Sequence, residues 1–412
     1  VAVAFNQLVD QVQRMGRYLG TRWNNAGDKI ALALERFDAA CDLERVQERI
    51  KLVRGSGVSG YRGAAPLDAP FSEIVCGVAD APPLPTHATV IAADGSQIYP
   101  DPHAPALYYL INTGVFTYYH GEPRLPSQQS APQLCYKQSE IEDQDGRAIN
   151  NQTVNARRTV EEMKRLAERA AELTADSTAY RPLIALHDGG LLKFFGASEI
   201  ADAKRLETDY FKALRALAES GAVLAGYPGA QRASYVMALL HLLSLAPEGV
   251  NDTNLKTNGD LEGLSDARFY AEILLPGQRS ALMAQNSPQN LEYKKREPAF
   301  EIAFFYLNVA EEGEAPRIAR IDVPMWVAQQ TAAVDALHAL LLQQCAIQGR
   351  KRYPYALTRA DELAVVSGHE RSQVDQLIRI TMLENGLIPE ESEKLQTKGL
   401  ARGERRQHRI KR

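Results

Sequence analysis

The sequence predicts an α/β fold, and three observations predict it. Residues 89–93 (Thr89-Val90-Ile91-Ala92-Ala93) form a short apolar, β-branched run that reads as a buried strand and stops at Asp94-Gly95-Ser96. Residues 183–186 (Leu183-Ile184-Ala185-Leu186) repeat the arrangement and stop at His187-Asp188-Gly189. Between them, residues 153–174 change to helical spacing, with Val160, Met163, Leu166, Ala167, Ala170 and Leu173 on one apolar stripe. A strand, a crossover helix and a parallel strand follow from this, and the right-handed connection brings the strand-end carboxylates Asp94 and Asp188 to one edge of the sheet. Asp-Gly is also the commonest turn dipeptide. Neither copy, however, runs after two residues into a return strand, as a tight hairpin requires.

Composition bounds the rest. A chain of 412 residues with 45% hydrophobic residues can bury one large core or two moderate ones. No apolar run approaches the ~20 residues that span a bilayer, and the first residues lack the basic-then-apolar layout of a signal peptide, so a cytoplasmic protein is expected. Cys41, Cys76, Cys135 and Cys345 are far apart, with no Cys-x-x-Cys pair. Reduced, buried thiols are expected, not a zinc site or a disulfide framework. The net charge of −4 gives no polybasic character overall, but basic clusters occur at 294–296, 350–352 and 402–412.

Along the chain, residues 5–53 show helical spacing, read as an amphipathic pair of helices, and the Gly/Ser/Pro-rich stretch 55–85 reads as a long connection. Residues 106–116, rich in aromatic and β-branched side chains, read as a second strand, and 123–146 as a polar loop. After the Asp188 strand come a helix near 203–220 and a third parallel strand at 222–227. Residues 302–309 and 317–323 bracket a turn and predict an antiparallel hairpin. Helices are expected at 326–347, 358–366 and 370–385, the last closed by Gly386.

Within the crossover helix, Glu162 falls at the boundary of the apolar stripe, within reach of the sheet edge, whereas Glu161 faces water. Both also fit a solvated charged face with Lys164, Arg165 and Arg169. Asp361 lies at the edge of the stripe Leu357, Ala360, Leu363 and Ala364, and also fits a capping box begun by Thr358. Oxygen ligands from Asp94, Glu162, Asp188 and Asp361 suit Mg2+ or Mn2+, and two such ions favour in-line displacement at phosphorus. Tyr353 and the run Arg350-Lys351-Arg352 suit a phosphate backbone or a stacked base. His187 and His103 fit either ligands or local hydrogen-bonding residues.

Taken together, Asp94-Gly95-Ser96-Gln97-Ile98-Tyr99-Pro100-Asp101, Arg158-x-x-x-Glu162-x-x-x-Leu166 and Leu186-His187-Asp188-Gly189 resemble successive motifs of the NurA nucleases. Pro276-Gly277-Gln278-Arg279-Ser280, Phe305-Tyr306-Leu307-Asn308, Arg320-x-Asp322-Val323-Pro324-x-Trp326 and Tyr353-Pro354-Tyr355 continue in order, so the resemblance covers roughly 90–367. It implies an RNase H-like mixed sheet flanked by helices, a homodimer, and Mn2+- or Mg2+-dependent nuclease action on DNA. It further implies a 5′–3′ exonuclease with single-strand endonuclease activity that works with a HerA-type hexameric ATPase in end resection. The family's metal-site acids carry over to Asp94, Glu162 and Asp188, and its tyrosine to Tyr353. Some members have histidine where Asp361 stands. Arg279, Arg350, Lys351 and Arg352 are the expected DNA contacts. The implied organisation is a helical arm and linker over 1–85, a nuclease domain over 86–400 and a basic tail over 401–412.

Two other classes fit part of the pattern. Strand-end Asp-Gly turns also hold Mg2+-ATP in phosphotransferases of the actin and hexokinase class, which bind nucleotide and cut no DNA. A non-catalytic DNA-binding or motor-docking subunit would instead keep DNA binding in Asp94→Ala. The sequence contains no Gly-x-x-x-x-Gly-Lys-Ser/Thr loop, so any motor comes from another protein.

Overall fold

The computed structural model of the chain describes residues 5–388, except 25, 57, 59, 105, 144, 177–179, 197–198 and 230–231. The basic tail therefore lies outside the described residues. In chain order the strands are β1 (Ala64–Pro66), β2 (Val78–Ala79), β3 (Ala88–Ile98), β4 (Tyr109–His120), β5 (Ser127–Cys135), β6 (Leu183–His187), β7 (Val223–Gly226), β8 (Arg279–Ser280), β9 (Met283–Gln285), β10 (Ile302–Asn308) and β11 (Ile318–Pro324). They fall in two compact units. One comprises the described residues of Val1–Pro85, Gly189–Leu192 and Val223–Pro354, the other those of Thr86–Asp188, Lys193–Ala222 and Tyr355–Arg412.

In the second unit, β3, β4 and β5 form an antiparallel meander, and β6 adds to the other side of β3 in parallel. Three antiparallel strands extended by a parallel fourth, with a helical crossover between, is the RNase H-like arrangement. The crossover is Asn151–Ala175, capped by Asn150 through Thr153 N, and it buries the expected stripe: Val160, Met163, Leu166, Ala167, Ala170 and Leu173. The helix Ala203–Glu219 packs beside it. Opposite faces of β3 and β4 are covered by different helices. A Cβ built on Gly95 would meet Arg158 and Glu162 of the crossover, whereas one built on Gly114 would meet Ala360 and Leu363 of the helix Tyr355–Ala364. Because Gly95 pairs with Thr113, Gly114 faces the other side.

Three sequence expectations are corrected here. β3 does not stop at Asp94: it continues to Ile98, paired residue by residue with β4, so Asp94-Gly95 is strand interior and not a turn. The segment expected as a polar loop contains β5, an edge strand whose polar, largely exposed residues leave no apolar alternation to read. The helix Tyr355–Ala364 also begins earlier than expected, directly after Pro354, so Thr358 lies inside it and does not cap it.

In the first unit, β1, β9, β10, β11 and β7 are joined by antiparallel pairings, and β8 links β10 to β2. The expected hairpin is β10 with β11, in register Phe305 with Ile321. Of the expected arm, the helix Phe5–Asn24 leaves Phe5, Val9, Val12, Met15, Tyr18 and Leu19 exposed, whereas the two helices that follow pack into this unit's core. Helices Ala26–Ala39 and Leu43–Gly55 bury Ala33, Phe37, Val46, Ile50 and Val53 in one core with Leu239, Leu240, Phe269 and Phe304, and the stretch read as a linker supplies β1 and β2. A disulfide joins Cys41 to Cys76, whose Cα atoms are 5.2 Å apart, against the expectation of reduced thiols. Folding sets the turn after the second helix beside the segment leading to β2, a proximity that linear spacing does not encode. Cys135 and Cys345 are free and buried, as expected. Among the described residues no helix is long and apolar enough to cross a membrane.

The first unit also buries Asp266 completely. Its carboxylate accepts from Val236 N and Met237 N, 3.1 Å each, at the start of the helix Tyr235–Ser244, and from Tyr306 Oη at 2.7 Å. Burial outweighs these bonds and pushes its pKa up to about 6. The folded state thus holds this proton more tightly than the unfolded chain, and stability is lost as pH rises from about 4 through the folded value, then levels off. Compared with Asp266→Asn, the parent should lose up to about 3 kcal/mol of unfolding free energy between pH 4 and 7. Parallel pH curves for the two proteins in denaturant titrations would contradict this.

Candidate functional site

The acids singled out by sequence gather on β3, β6 and the two helices that flank them, all within the second unit. β3 and β6 run parallel with Ala93 opposite His187, so Asp94 and Asp188 are the next residues along these neighbouring segments of the chain. Asp94 Oδ1 accepts from Gly95 N at 2.7 Å. Glu162 is 3% exposed. Gly95 is what lets it approach, since a Cβ there would sit 2.7 Å from Glu162 Oε1 and 2.9 Å from Arg158 Cγ. Glu161 instead turns to Arg165, with Oε1 3.0 Å from Nε, and at 17% exposure its side chain is half-buried and does not face water as expected.

Arg158 fixes the glutamate. Its Nε lies 3.2 Å from Glu162 Oε1, while Nη1 donates to Gly95 O at 3.2 Å and to Gln97 Oε1 at 3.1 Å. One guanidinium therefore ties the crossover helix to the strand that carries Asp94. His187 is buried behind it, with Nδ1 3.8 Å from Glu162 Oε2 and neither ring nitrogen hydrogen-bonded. Burial, with Lys193 and Arg158 nearby, holds its pKa well below the usual histidine value, so the ring is neutral and the contact is not an ion pair.

Asp361 approaches from the helix Tyr355–Ala364. That helix seats directly on β4 because Gly114 has no Cβ, which would lie 2.4 Å from Ala360 O. Its last carbonyls are taken by Asn112 Nδ2, 3.1 Å from Leu363 O and 2.8 Å from Ala364 O, and by Ser96 Oγ, 2.5 Å from Ala364 O. Asp361 itself remains exposed.

Electrostatics joins these groups. Burial raises the pKa of Asp94, with Asp188 and Asp361 adding repulsion against the opposing pull of Gly95 N–H and Arg158. Burial likewise raises that of Glu162, and Asp94 and Asp188 add to it while Arg158 and Lys193 oppose. Carboxylates held together and dehydrated in this way bind either protons or cations. Glu162 Oε1 is buried and makes no hydrogen bond, its charged neighbour being the Arg158 guanidinium, with Nε 3.2 Å away. Among the described residues no three His, Cys, Asp or Glu side chains are already arranged to hold an ion. Oxygen donors of this kind suit a hard divalent ion such as Mg2+, which keeps several waters and takes one or two carboxylates.

The other expected residues lie in the first unit. Tyr353 packs edge-on against Tyr227, ring centroids 5.0 Å apart. Arg350 and Lys351 are exposed. Arg352 and Arg279 depart from the expectation of DNA contacts, because both are buried against carboxylates: Arg352 against Glu311 and Glu314, at 2.5 and 2.8 Å, and Arg279 against Glu73 at 2.9 Å. Sequence reading missed Arg158 as a site residue, although its position four residues before Glu162 on the same helix face carried the signal. It also missed the spatial reason for Gly95.

The family model described as NurA domain matches residues 88–366. No curated protein matches the chain. Among solved structures, the NurA nuclease of Sulfolobus solfataricus is 13% identical, with a TM-score of 0.48, over 92% of this chain and 98% of that one. The catalytic domain of human endonuclease V is 13% identical, with a TM-score of 0.30, over 81% and 95%. LC9-RNase H1, a type 1 RNase H, is 12% identical, with a TM-score of 0.21, over 39% and 72%.

Gly95→Ala tests the geometry. Overpacking should cost about 1–3 kcal/mol and displace the Glu162 carboxylate, so that Mn2+ raises the melting temperature of the variant less than that of the parent. An equal Mn2+-induced rise in both would contradict the assigned role of the glycine.

Proposed function

The chain belongs to the NurA domain family, and on that premise we propose that it is a metal-dependent deoxyribonuclease that hydrolyses phosphodiester bonds. The observation that carries the reading is the electrostatically linked set of carboxylates in which half-buried Asp94 and Asp188, on β3 and just after β6, act on buried Glu162 of the crossover helix. Mn2+ or Mg2+ bound there, as one ion or a pair, would supply an activated water and neutralise charge on the leaving oxygen.

The residues have separable tasks. Asp94 and Asp188 offer oxygens from adjacent strands. Glu162 offers its carboxylate from the helix side, at a position set by the Arg158 ion pair and by the missing side chain of Gly95. Asp361 adds negative charge near Asp94, which favours cation over anion at that edge. Neutral His187 fills the space behind Glu162 without competing for its charge. Tyr353 is the candidate for a substrate contact. Strong dehydration of Asp94 and Glu162 makes their affinity for cations sensitive to pH, since protons compete for the same oxygens.

The finer reading follows the family. It is a 5′–3′ exonuclease with single-strand endonuclease activity that trims DNA ends during resection and repair. It acts in the cytoplasm as a homodimer with a HerA-type hexameric ATPase as its motor. Cleavage of end-labelled single- and double-stranded DNA tests the reading, with Mn2+, Mg2+ or EDTA, for the parent, Asp94→Ala and Asp188→Ala. Cutting should require the metal and fall by at least about 100-fold in either variant with the fold intact by circular dichroism. Equal cutting by the variants, or none by the parent even with a HerA-type ATPase present, would overturn it.

A further inference from the structure

Gly95, Gln97 and Tyr99 alternate along β3 and just past its end, and this face looks at the crossover helix, since a Cβ on Gly95 would meet Arg158 and Glu162. On the helix, Asn155, Arg158 and Glu162 are spaced three and four residues apart and share one face in turn. A chain of hydrogen bonds runs between the two rows. Arg158 Nη1 donates to Gln97 Oε1 at 3.1 Å, Gln97 Nε2 donates to Tyr99 Oη at 2.9 Å, and Tyr99 Oη donates to Asn155 Oδ1 at 2.8 Å.

Chemistry fixes the direction of this chain. A guanidinium can only donate, so Gln97 turns its oxygen to Arg158 and its amino group to Tyr99. The phenol oxygen accepts there and directs its one O–H at Asn155. The negative end of each group thus faces the guanidinium charge, and the chain begins and ends on the crossover helix. The Tyr99 ring packs, partly buried, against the apolar cluster that includes Tyr109, Ile111, Cys135 and Val154, which sets its hydroxyl between Gln97 and Asn155. Arg158 in turn holds Gly95 O through Nη1 and stands 3.2 Å from Glu162 Oε1. A guanidinium anchored on the strand in this way has little freedom to follow the carboxylate, so the carboxylate stays where the guanidinium holds it.

We propose that Tyr99 is a positioning residue for the cation site: through Gln97 it holds Arg158, and through Arg158 the Glu162 carboxylate, in the place from which that carboxylate takes a divalent ion. The use of that ion for cleavage rests on the nuclease reading; the positioning of the carboxylate does not. Tyr99 acts through its neighbours and is not itself a ligand. Groups that orient a metal ligand by hydrogen bonds set the affinity of the site for its ion.

The test is calorimetric titration of Mn2+ into the full chain, with cleavage of end-labelled DNA followed against Mn2+ concentration on the same proteins. These are the parent, Tyr99→Phe, Asn155→Ala, Arg158→Ala, Tyr99→Phe/Arg158→Ala and Tyr109→Phe. Tyr99→Phe keeps the ring and removes only the hydroxyl. It should weaken Mn2+ binding about 10-fold, the low end of the loss for a group that supports a metal ligand, and move half-maximal cleavage to higher Mn2+ with little change at saturating metal. Asn155→Ala removes the acceptor of the same hydroxyl and should weaken binding in the same direction. Tyr109→Phe is the control: it removes a comparable bond of 2.8 Å from the neighbouring Arg157, and should bind like the parent. Because Tyr99 acts through Arg158, adding Tyr99→Phe to Arg158→Ala should change the affinity no further. Affinity in Tyr99→Phe equal to the parent's, an equal loss in Tyr109→Phe, a further loss in the double variant, or no Mn2+ binding by the parent would each overturn the proposal. Mn2+ binding that falls in Tyr99→Phe and Asn155→Ala, in a parent that cuts no DNA with or without a HerA-type ATPase, keeps the positioning role and counts against the nuclease reading alone.

Discussion

Parallel pairing of β3 with β6 is the constraint on which the rest of the site depends. It places Asp94 and Asp188 on neighbouring segments of the chain one residue beyond Ala93 and His187. Like charges so placed, and largely out of water, resist ionisation together. The fold accepts this cost because the surrounding packing fixes the strands: the crossover helix buries a full apolar stripe on one face, and the helix Tyr355–Ala364 seats on Gly114 on the other. A group that repels itself but cannot move apart is a receptor for cations.

Two missing side chains let the acids approach. Gly95 lies inside a strand, where glycine is ordinarily a weakness, and its absent Cβ makes room for the Glu162 carboxylate and the stem of Arg158. Gly114 does the same on the opposite face for the backbone of the helix that bears Asp361. Arg158 then ties strand and helix together through Gly95 O, Gln97 and Glu162. In the first unit the arginines serve a different purpose. Arg279, Arg320 and Arg352 are matched by carboxylates and brace the structure.

Much of this was legible in the sequence, for identifiable reasons. β3, β6, β10 and β11 announce themselves by apolar runs because they are buried, and the crossover helix by its stripe. The 100° step between Glu161 and Glu162 separates them, and the structure buries Glu162 and pairs Glu161 with Arg165. What could not be read depends on tertiary proximity. β5 is polar because it lies at an edge, Asp94-Gly95 looks like a turn because only the pairing with β4 extends the strand past it, and the approach of Cys41 to Cys76 follows from packing alone. Net local charge misled in the same way: Arg352 sits in a basic run, yet its acidic partners come from the loop between β10 and β11.

The central claim is that the carboxylates around Asp94 form a cation site from which protons must leave. Calorimetric titration of Mn2+ into the full chain near neutral pH, repeated in buffers of different ionisation enthalpy, tests it most directly. Binding accompanied by proton release in the parent, with both lost or strongly reduced in Asp94→Asn, is the predicted result. Mn2+ binding of equal affinity and equal proton release in the two proteins would contradict it.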